Sequence, residues 1–314
     1  MQSDGLYHNP FATMLSGGVG GARMARGLAN VLPPGDLTAI VNVGDDERVY
    51  GLHVSADVDT VIYTLAGIEG QHGWGIAGDA FTVVAQLETL DVDTTFRLGD
   101  RDLANCLYRT TALTAGTPLS SITATLAKHL GVSSAVLPAT DAPLRTRLLI
   151  EGRWVPFQEY FVYRGHRDPV TAIEFAGSAD AQPAPGVLEA IATAELVVVA
   201  PSNPPLSIWP ILAVDGVRAA LAARDRVVAI SPLFGGKPVK GPADRVMAGL
   251  GLAAGNAGVL EAYAGVVTDL VVDAGDAADV DLASADVAIH TADTRIARSD
   301  QGTRFAQWLV ERFT

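Results

Sequence analysis

Residues 11–46 read FATMLSGGVGGARMARGLANVLPPGDLTAIVNVGDD, and no other stretch restricts the fold of this chain as much. FATML (11–15) has the composition of a buried strand and runs straight into a glycine-dense turn. A helix is predicted over 20–32, with Met24, Leu28 and Leu32 at four-residue spacing and Pro33 and Pro34 to stop it. A second apolar strand, LTAIVNV (37–43), ends at GDD. Two strands joined by a helical crossover run parallel, the crossover is right-handed, and a parallel sheet is covered by helices on both faces.

Later segments repeat the pattern. A βα-like or helical segment is predicted over 57–65, helices over 79–90, 119–130, 187–194 and 217–224, and strands at SSAVLPAT (133–140), ELVVV (195–199) and RVVAI (226–230). Helix and strand recur through 243–252, 257–263, LVVDAGD (270–276), VAIHTA (287–292) and a C-terminal helix over 298–313. Residues 145–165 differ: two β-rich runs flank a short glycine turn, which predicts a hairpin, and VTAIEF (170–175) adds a strand to it. The expected fold is α/β, a doubly wound, mainly parallel Rossmann-like sheet with a smaller inserted α+β lobe. Residues 11–102 and 187–314 are assigned to the main nucleotide-binding domain and 103–186 to the lobe, after an unstructured lead-in over 1–10.

With 49% hydrophobic and 18% charged residues in a chain of 314, a large core forms without disulfide or metal staples, and dominant disorder is excluded. Lys and Arg total 22 against 35 Asp and Glu, a net charge of −13 that argues against a whole-surface grip on a nucleic acid polymer. A local basic pocket stays open. Cys106 is the only cysteine, which suits a reducing compartment. No apolar span approaches the roughly 18 residues of a membrane helix, so the expectation is a cytoplasmic chain without a membrane partner.

The glycine turn fails as a dinucleotide fingerprint, since Arg23 stands where the third glycine belongs, and no G-K-[ST] makes it a phosphate loop. Two readings remain. The backbone N–H groups of Gly17, Gly18 and Gly20, with Arg23, hold a phosphate or diphosphate at the helix start, or the glycines serve close helix–sheet packing. Asp45 and Asp46 end the second strand, and SADVDT (55–60) adds Asp57 and Asp59. Four acids above the carboxyl ends of a parallel sheet occupy the usual ligand crevice, and oxygen ligands suit Mg²⁺ beside a diphosphate. A helix cap at Asp57 and ordinary surface charge are the plain alternatives. The six histidines show no zinc spacing, and no G-x-S-x-G elbow supports a serine nucleophile.

Arg97, Asp100, Arg101 and Asp102 form a dense ion set that either orients a substrate or braces the scaffold. Trp74, between Gly73 and Gly75, stacks on a flat ring or is buried. Ser202 and Asn203 lie in a proline-restricted turn after a strand. In SPLFGGKPVKGPADR (231–245), Ser231, Gly235, Gly236 and Lys240 combine close backbone approach with positive charge, and two of the chain's three lysines fall there. Such a loop reads a guanine edge or holds phosphates, or is a surface charge run.

LSGGVGG (15–21), VNVGDD (41–46), SADVDTVIYTLAG (55–67), GWGIAGD (73–79), RLGDRDLA (97–104), FQEYFV (157–162), APSNPPLSI (200–208) and SPLFGGKPVKGPADRVM (231–247) occur in this order over nearly the whole chain. In them the chain resembles the 2-phospho-L-lactate transferase family of coenzyme F420 biosynthesis, in its actinobacterial phosphoenolpyruvate transferase branch. The resemblance implies transfer of a phosphorylated three-carbon acid from a guanosine diphosphate donor to the ribityl hydroxyl of the deazaflavin FO, with Mg²⁺, release of GMP and a homodimeric enzyme. The donor is enolpyruvyl-diphosphoguanosine or lactyl-diphosphoguanosine, and the product dehydro coenzyme F420-0 or coenzyme F420-0. By family position Asp59 and Arg97 contact FO, Asp59 counting also as catalytic. Asp45 and Asp46 serve Mg²⁺ or proton transfer, and Ser202, Asn203 and the 231–240 loop form the nucleotide side. A kinase or NAD oxidoreductase is opposed by the missing lysine and the broken fingerprint. A catalytically inactive deazaflavin- or nucleotide-binding protein is the remaining alternative.

Overall fold

The computed structural model describes residues 11–284 and 286–314; the lead-in expected over 1–10 lies outside them. β1 (Ala12–Ser16) passes through the glycine turn into α1 (Gly18–Ala29), and β2 (Leu37–Val41) returns parallel to β1. A short hairpin, β3 (Glu47–Val49) and β4 (Leu52–Val54), leads to α2 (Ala56–Leu65). α3 (Thr82–Glu88), α4 (Asp100–Thr114) and α5 (Leu119–His129) precede β5 (Ala135–Pro138). β6 (Arg145–Ile150), β7 (Arg153–Pro156) and β8 (Ala172–Ala176) form a separate antiparallel sheet, with β6 in the middle.

α6 (Val187–Thr193) leads into β9 (Leu196–Val199), then α7 (Trp209–Leu212), α8 (Val217–Ala222) and β10 (Val228–Ile230). A two-stranded ribbon, β11 (Leu233–Phe234) and β12 (Lys237–Pro238), precedes α9 (Ala243–Gly249) and α10 (Gly255–Ala262). β13 (Asp269–Asp273), β14 (Ala288–Ala292) and α11 (Ser299–Phe313) complete the chain. Among the described residues no helix is long and apolar enough to cross a membrane.

Seven strands build the main sheet in the order β14-β13-β10-β9-β1-β2-β5, every pair parallel. β1, β2, β9, β10 and β13 are buried along their whole length, as their uninterrupted apolar runs predict for strands covered on both faces. On one face α1 packs between α2 and α11. It packs tightly on α11 at Gly27, where a Cβ would lie 2.6 Å from the Gly302 carbonyl oxygen. From β1 the chain moves outward to β2 and β5, then reverses and builds from β9 on the other side. The switch point therefore lies between β1 and β9, where open α/β sheets present a crevice at their carboxyl ends.

Residues 103–186 divide between two places. α5 and β5 belong to the main layer, with β5 as the edge strand beside β2. β6 to β8 and the π-helical turn Glu159–Tyr163 make the antiparallel body, packed on Leu148, Ile150, Val155, Tyr160 and Val170. α4 has no counterpart among the predicted helices. Its buried stripe is Asp102, Leu103, Cys106 and Arg109, so half of its inward face is charged and the apolar periodicity is interrupted.

Candidate functional site

At the switch point the turn after β1 meets the turn after β9. Ser202 Oγ donates to the Gly17 carbonyl (2.7 Å) and accepts from the Gly17 amide (3.3 Å). The glycines answer to protein neighbours. A Cβ at Gly17 would lie 2.7 Å from both Asp57 Oδ2 and Ser207 Cβ, and one at Gly20 would lie 2.5 Å from the Pro201 carbonyl oxygen. Gly18, at φ +64°, opens onto free space, and its amide bonds to the Asp57 carboxylate. The turn thus carries out the packing role, and the α1 N-terminus already faces an anion supplied by the chain.

Asp45, Asp46, Asp57 and Asp59 are all at most 6% exposed, and Asp45 and Asp57 meet at one side chain. Asn42, which sequence reasoning passed over, organises them. Its Nδ2 donates to Asp45 Oδ1 (3.2 Å) and Asp57 Oδ2 (3.0 Å), and its Oδ1 accepts from the Gly44 amide (2.7 Å). Burial, then repulsion from Asp57 and Asp46, pushes the Asp45 carboxyl well above the usual range. Burial raises Asp57 to about 6 against the hydrogen bonds from Asn42 and Gly18. Asp46 is held from the hairpin side, where Ser55 Oγ donates to its Oδ2 and His53 Nε2 lies 2.9 Å from the same atom. Its second oxygen, Oδ1, is buried without a partner among the described residues.

Asp59 faces away from that group toward α4, where Arg109 donates to its Oδ1. Arg109 is fully buried and also reaches the His53 carbonyl (3.3 Å). Burial raises the Asp59 carboxyl, opposed by the guanidinium, and raises Asp102 to about 7. Tyr63 donates to Asp102 Oδ1 (2.8 Å) and accepts from Asn105 (2.9 Å). Asp59, Asp102 and Cys106 bring ligand atoms within 4.8 Å of one another, but Arg109 already supplies their positive charge and burial drives the Cys106 thiol strongly upward, which suits no cation. Asp45 and Asp46 fit Mg²⁺ better. They supply hard oxygen donors in a group whose mutual repulsion a divalent cation relieves.

The other predicted residues surround this centre. Arg23 lines a cavity of about 250 Å³ with Arg26, Thr64 and Glu69, and burial and Arg26 lower its pKa. Trp74 is 55% exposed beside His72. Arg97 pairs with Glu88 at 2.8 Å and lies over the Phe81 ring, while Asp100 accepts the Thr82 and Val83 amides at the start of α3. Asn203 Oδ1 accepts the Leu206 amide and caps the π-helical turn Pro204–Ile208. Ser231 donates to Asn256 Oδ1 (2.5 Å) and accepts the Leu233 amide. Gly235 and Gly236, both at positive φ, turn the β11–β12 ribbon. Lys237 and Lys240 are exposed and form no ion pair among the described residues.

The family model described as 2-phospho-L-lactate transferase CofD matches residues 12–304. A phosphoenolpyruvate transferase of Streptomyces coelicolor is 43% identical over 272 residues, covering 84% of this chain and 85% of that one. A 2-phospho-L-lactate transferase of Methanospirillum hungatei is 40% identical over 272 residues, covering 85% and 90%. A crystal structure of a UPF0052 family member from Bacillus halodurans superposes with a TM-score of 0.64 at 17% identity, covering 97% of this chain and 100% of that one, a likeness of fold.

Proposed function

Since the chain belongs to the 2-phospho-L-lactate transferase CofD family, we propose that it moves a phosphoenolpyruvyl group from enolpyruvyl-diphosphoguanosine to FO in coenzyme F420 biosynthesis. The observation that carries this reading is the buried acid group at the switch point, with the Asp46 oxygen left unpartnered among the described residues. The several phosphoenolpyruvate transferases among its relatives favour the enolpyruvyl donor over the lactyl one.

In the proposed reaction the terminal ribityl hydroxyl of FO attacks the phosphorus that bears the three-carbon acid. The P–O bond to the GMP phosphate breaks, and GMP leaves with the bonding pair. The hydroxyl proton passes to a carboxylate oxygen of the buried group, where the raised pKa of Asp57, about 6, suits an acceptor near neutral pH. Asp45 and Asp46 would hold Mg²⁺, which when bound offsets the charge of the diphosphate and of the departing phosphate. Arg23 faces the donor diphosphate, and Gly17, Gly18 and Gly20 shape the turn beside it. Ser202 acts through the Gly17 turn that it braces, and Asn203, Ser231 and the Gly235–Gly236 ribbon with Lys240 form the guanosine side. Arg97, Asp100 and Trp74 border the acceptor, and Asp59 shapes its floor through Arg109.

The test is incubation of the purified protein with FO, Mg²⁺ and each synthetic donor, read by liquid chromatography and mass spectrometry. A phosphodiester-linked deazaflavin and stoichiometric GMP are expected, with faster turnover of the enolpyruvyl donor. No product from either donor overturns the assignment.

A further inference from the structure

The FQEYFV motif lies in the antiparallel body, and one of its side chains reaches the acid loop. Gln158 Nε2 donates to the Asp45 carbonyl oxygen at 2.8 Å, across 113 residues of sequence, and Gln158 is 6% exposed. A second bond crosses beside it, from the Thr146 amide to the Gly44 carbonyl (2.6 Å). The loop fits closely there. A Cβ at Gly44 would lie 2.5 Å from Thr146 Oγ1 and 2.8 Å from Pro210 Cβ, so the loop runs between β6 and α7. Gln158 directly precedes the π-helical turn Glu159–Tyr163, an irregularity that tends to accompany function.

Asp45 is therefore held at two points: Asn42 takes its carboxylate and Gln158 its backbone carbonyl. The peptide plane that Gln158 fixes is the one joining Asp45 to Asp46. Its orientation sets where both carboxylates project. We propose that Gln158 is a positioning residue for the transfer reaction, through which the antiparallel body fixes the acid loop in its reactive geometry. The link to turnover rests on the function proposed above, while the mechanical part stands on the two crossing hydrogen bonds alone. A loop displaced by an ångström costs about 10²-fold in rate when it carries the reacting groups.

Gln158→Met keeps the length of the side chain and removes the donor; Gln158→Glu keeps its shape and presents an oxygen to the carbonyl. Amide hydrogen exchange of the whole chain, read by mass spectrometry, is expected to accelerate about tenfold at residues 43–46 while the 200–203 turn stays as in the wild type. In the same variants kcat is expected to fall about 10–100-fold, with KM for both substrates within about threefold. Wild-type exchange at 43–46 in both variants overturns the proposal. So does equal acceleration at 43–46 and 200–203, which marks general loosening, or a raised KM at unchanged kcat. Should the wild-type chain transfer nothing to FO, the proposed function fails, and the exchange measurement still decides whether Gln158 holds the loop.

Discussion

A single side-chain amide, that of Asn42, stands between the carboxylates of Asp45 and Asp57, and a hydroxyl and an imidazole hold one oxygen of Asp46. Removing charge from these acids while keeping their shape isolates their chemistry from their packing. Asp45→Asn and Asp46→Asn are each expected to lower kcat roughly 10–1000-fold at saturating substrates. Wild-type turnover in both at limiting Mg²⁺ rejects the assignment. Asp102 offers a different measurement. Its folded-state pKa, about 7, lies above the ordinary carboxylate value, so the folded chain binds a proton that the unfolded chain releases. Its contribution to stability is complete below the ordinary value of about 4 and is lost as pH rises through about 7. Asp102→Asn, neutral throughout, is expected to gain in Tm relative to the wild type across that window, as thermal melts at a series of pH values will show; parallel curves contradict it. The aspartates were legible because GDD and DVD place acids at strand and helix ends. Asn42, His53, Arg109 and Gln158 were not, because their partners are chosen by tertiary packing and no local spacing marks them.

α3 and α4 start from each other's neighbourhood through exchanged acids. Asp100, in the first turn of α4, accepts the Thr82 and Val83 amides that open α3, and Asp79, ahead of α3, accepts the Arg101 and Asp102 amides that open α4. Each carboxylate satisfies orphan donors and faces the positive end of a helix. Asp79→Ala is expected to cost about 1–2 kcal/mol, read from urea unfolding, since α4 then starts without its cap. An unchanged midpoint would show that water replaces the carboxylate without loss. The same two helices mark where sequence reading stops. Apolar runs located β1, β2, β9, β10 and β13, and the glycine turn at residues 151–152 located the β6–β7 hairpin. α4 escaped because it turns Asp102 and Arg109 inward, and β5 was assigned to the smaller lobe because no local signal says which sheet a strand joins.

The crevice draws on both halves of the chain, so its two substrates are expected to be separable by mutation. Arg97→Ala should weaken FO binding and spare GDP, and Lys240→Ala should do the reverse, each by about 1.5–3 kcal/mol if a charge-assisted contact is lost. Calorimetric titration at fixed Mg²⁺ and salt decides, and equal losses of both ligands in both variants defeat the two-sided arrangement. Asp59→Ala is a poorer probe, because it strands the buried Arg109 guanidinium and invites unfolding of order 3–5 kcal/mol. β1 lies between a partner that follows it closely in sequence and another, β9, that begins at Leu196. During synthesis the acids and the glycine turn therefore leave the ribosome long before Ser202, which lies 185 residues beyond the Gly17 it braces. Non-local parallel pairing of this kind forms late. A chain stalled before β9 has every acid of the site and no finished crevice, and it is expected to show no heat of binding for FO or GDP. Activity then reports on completed synthesis: a truncated product competes for neither substrate, however intact its first half.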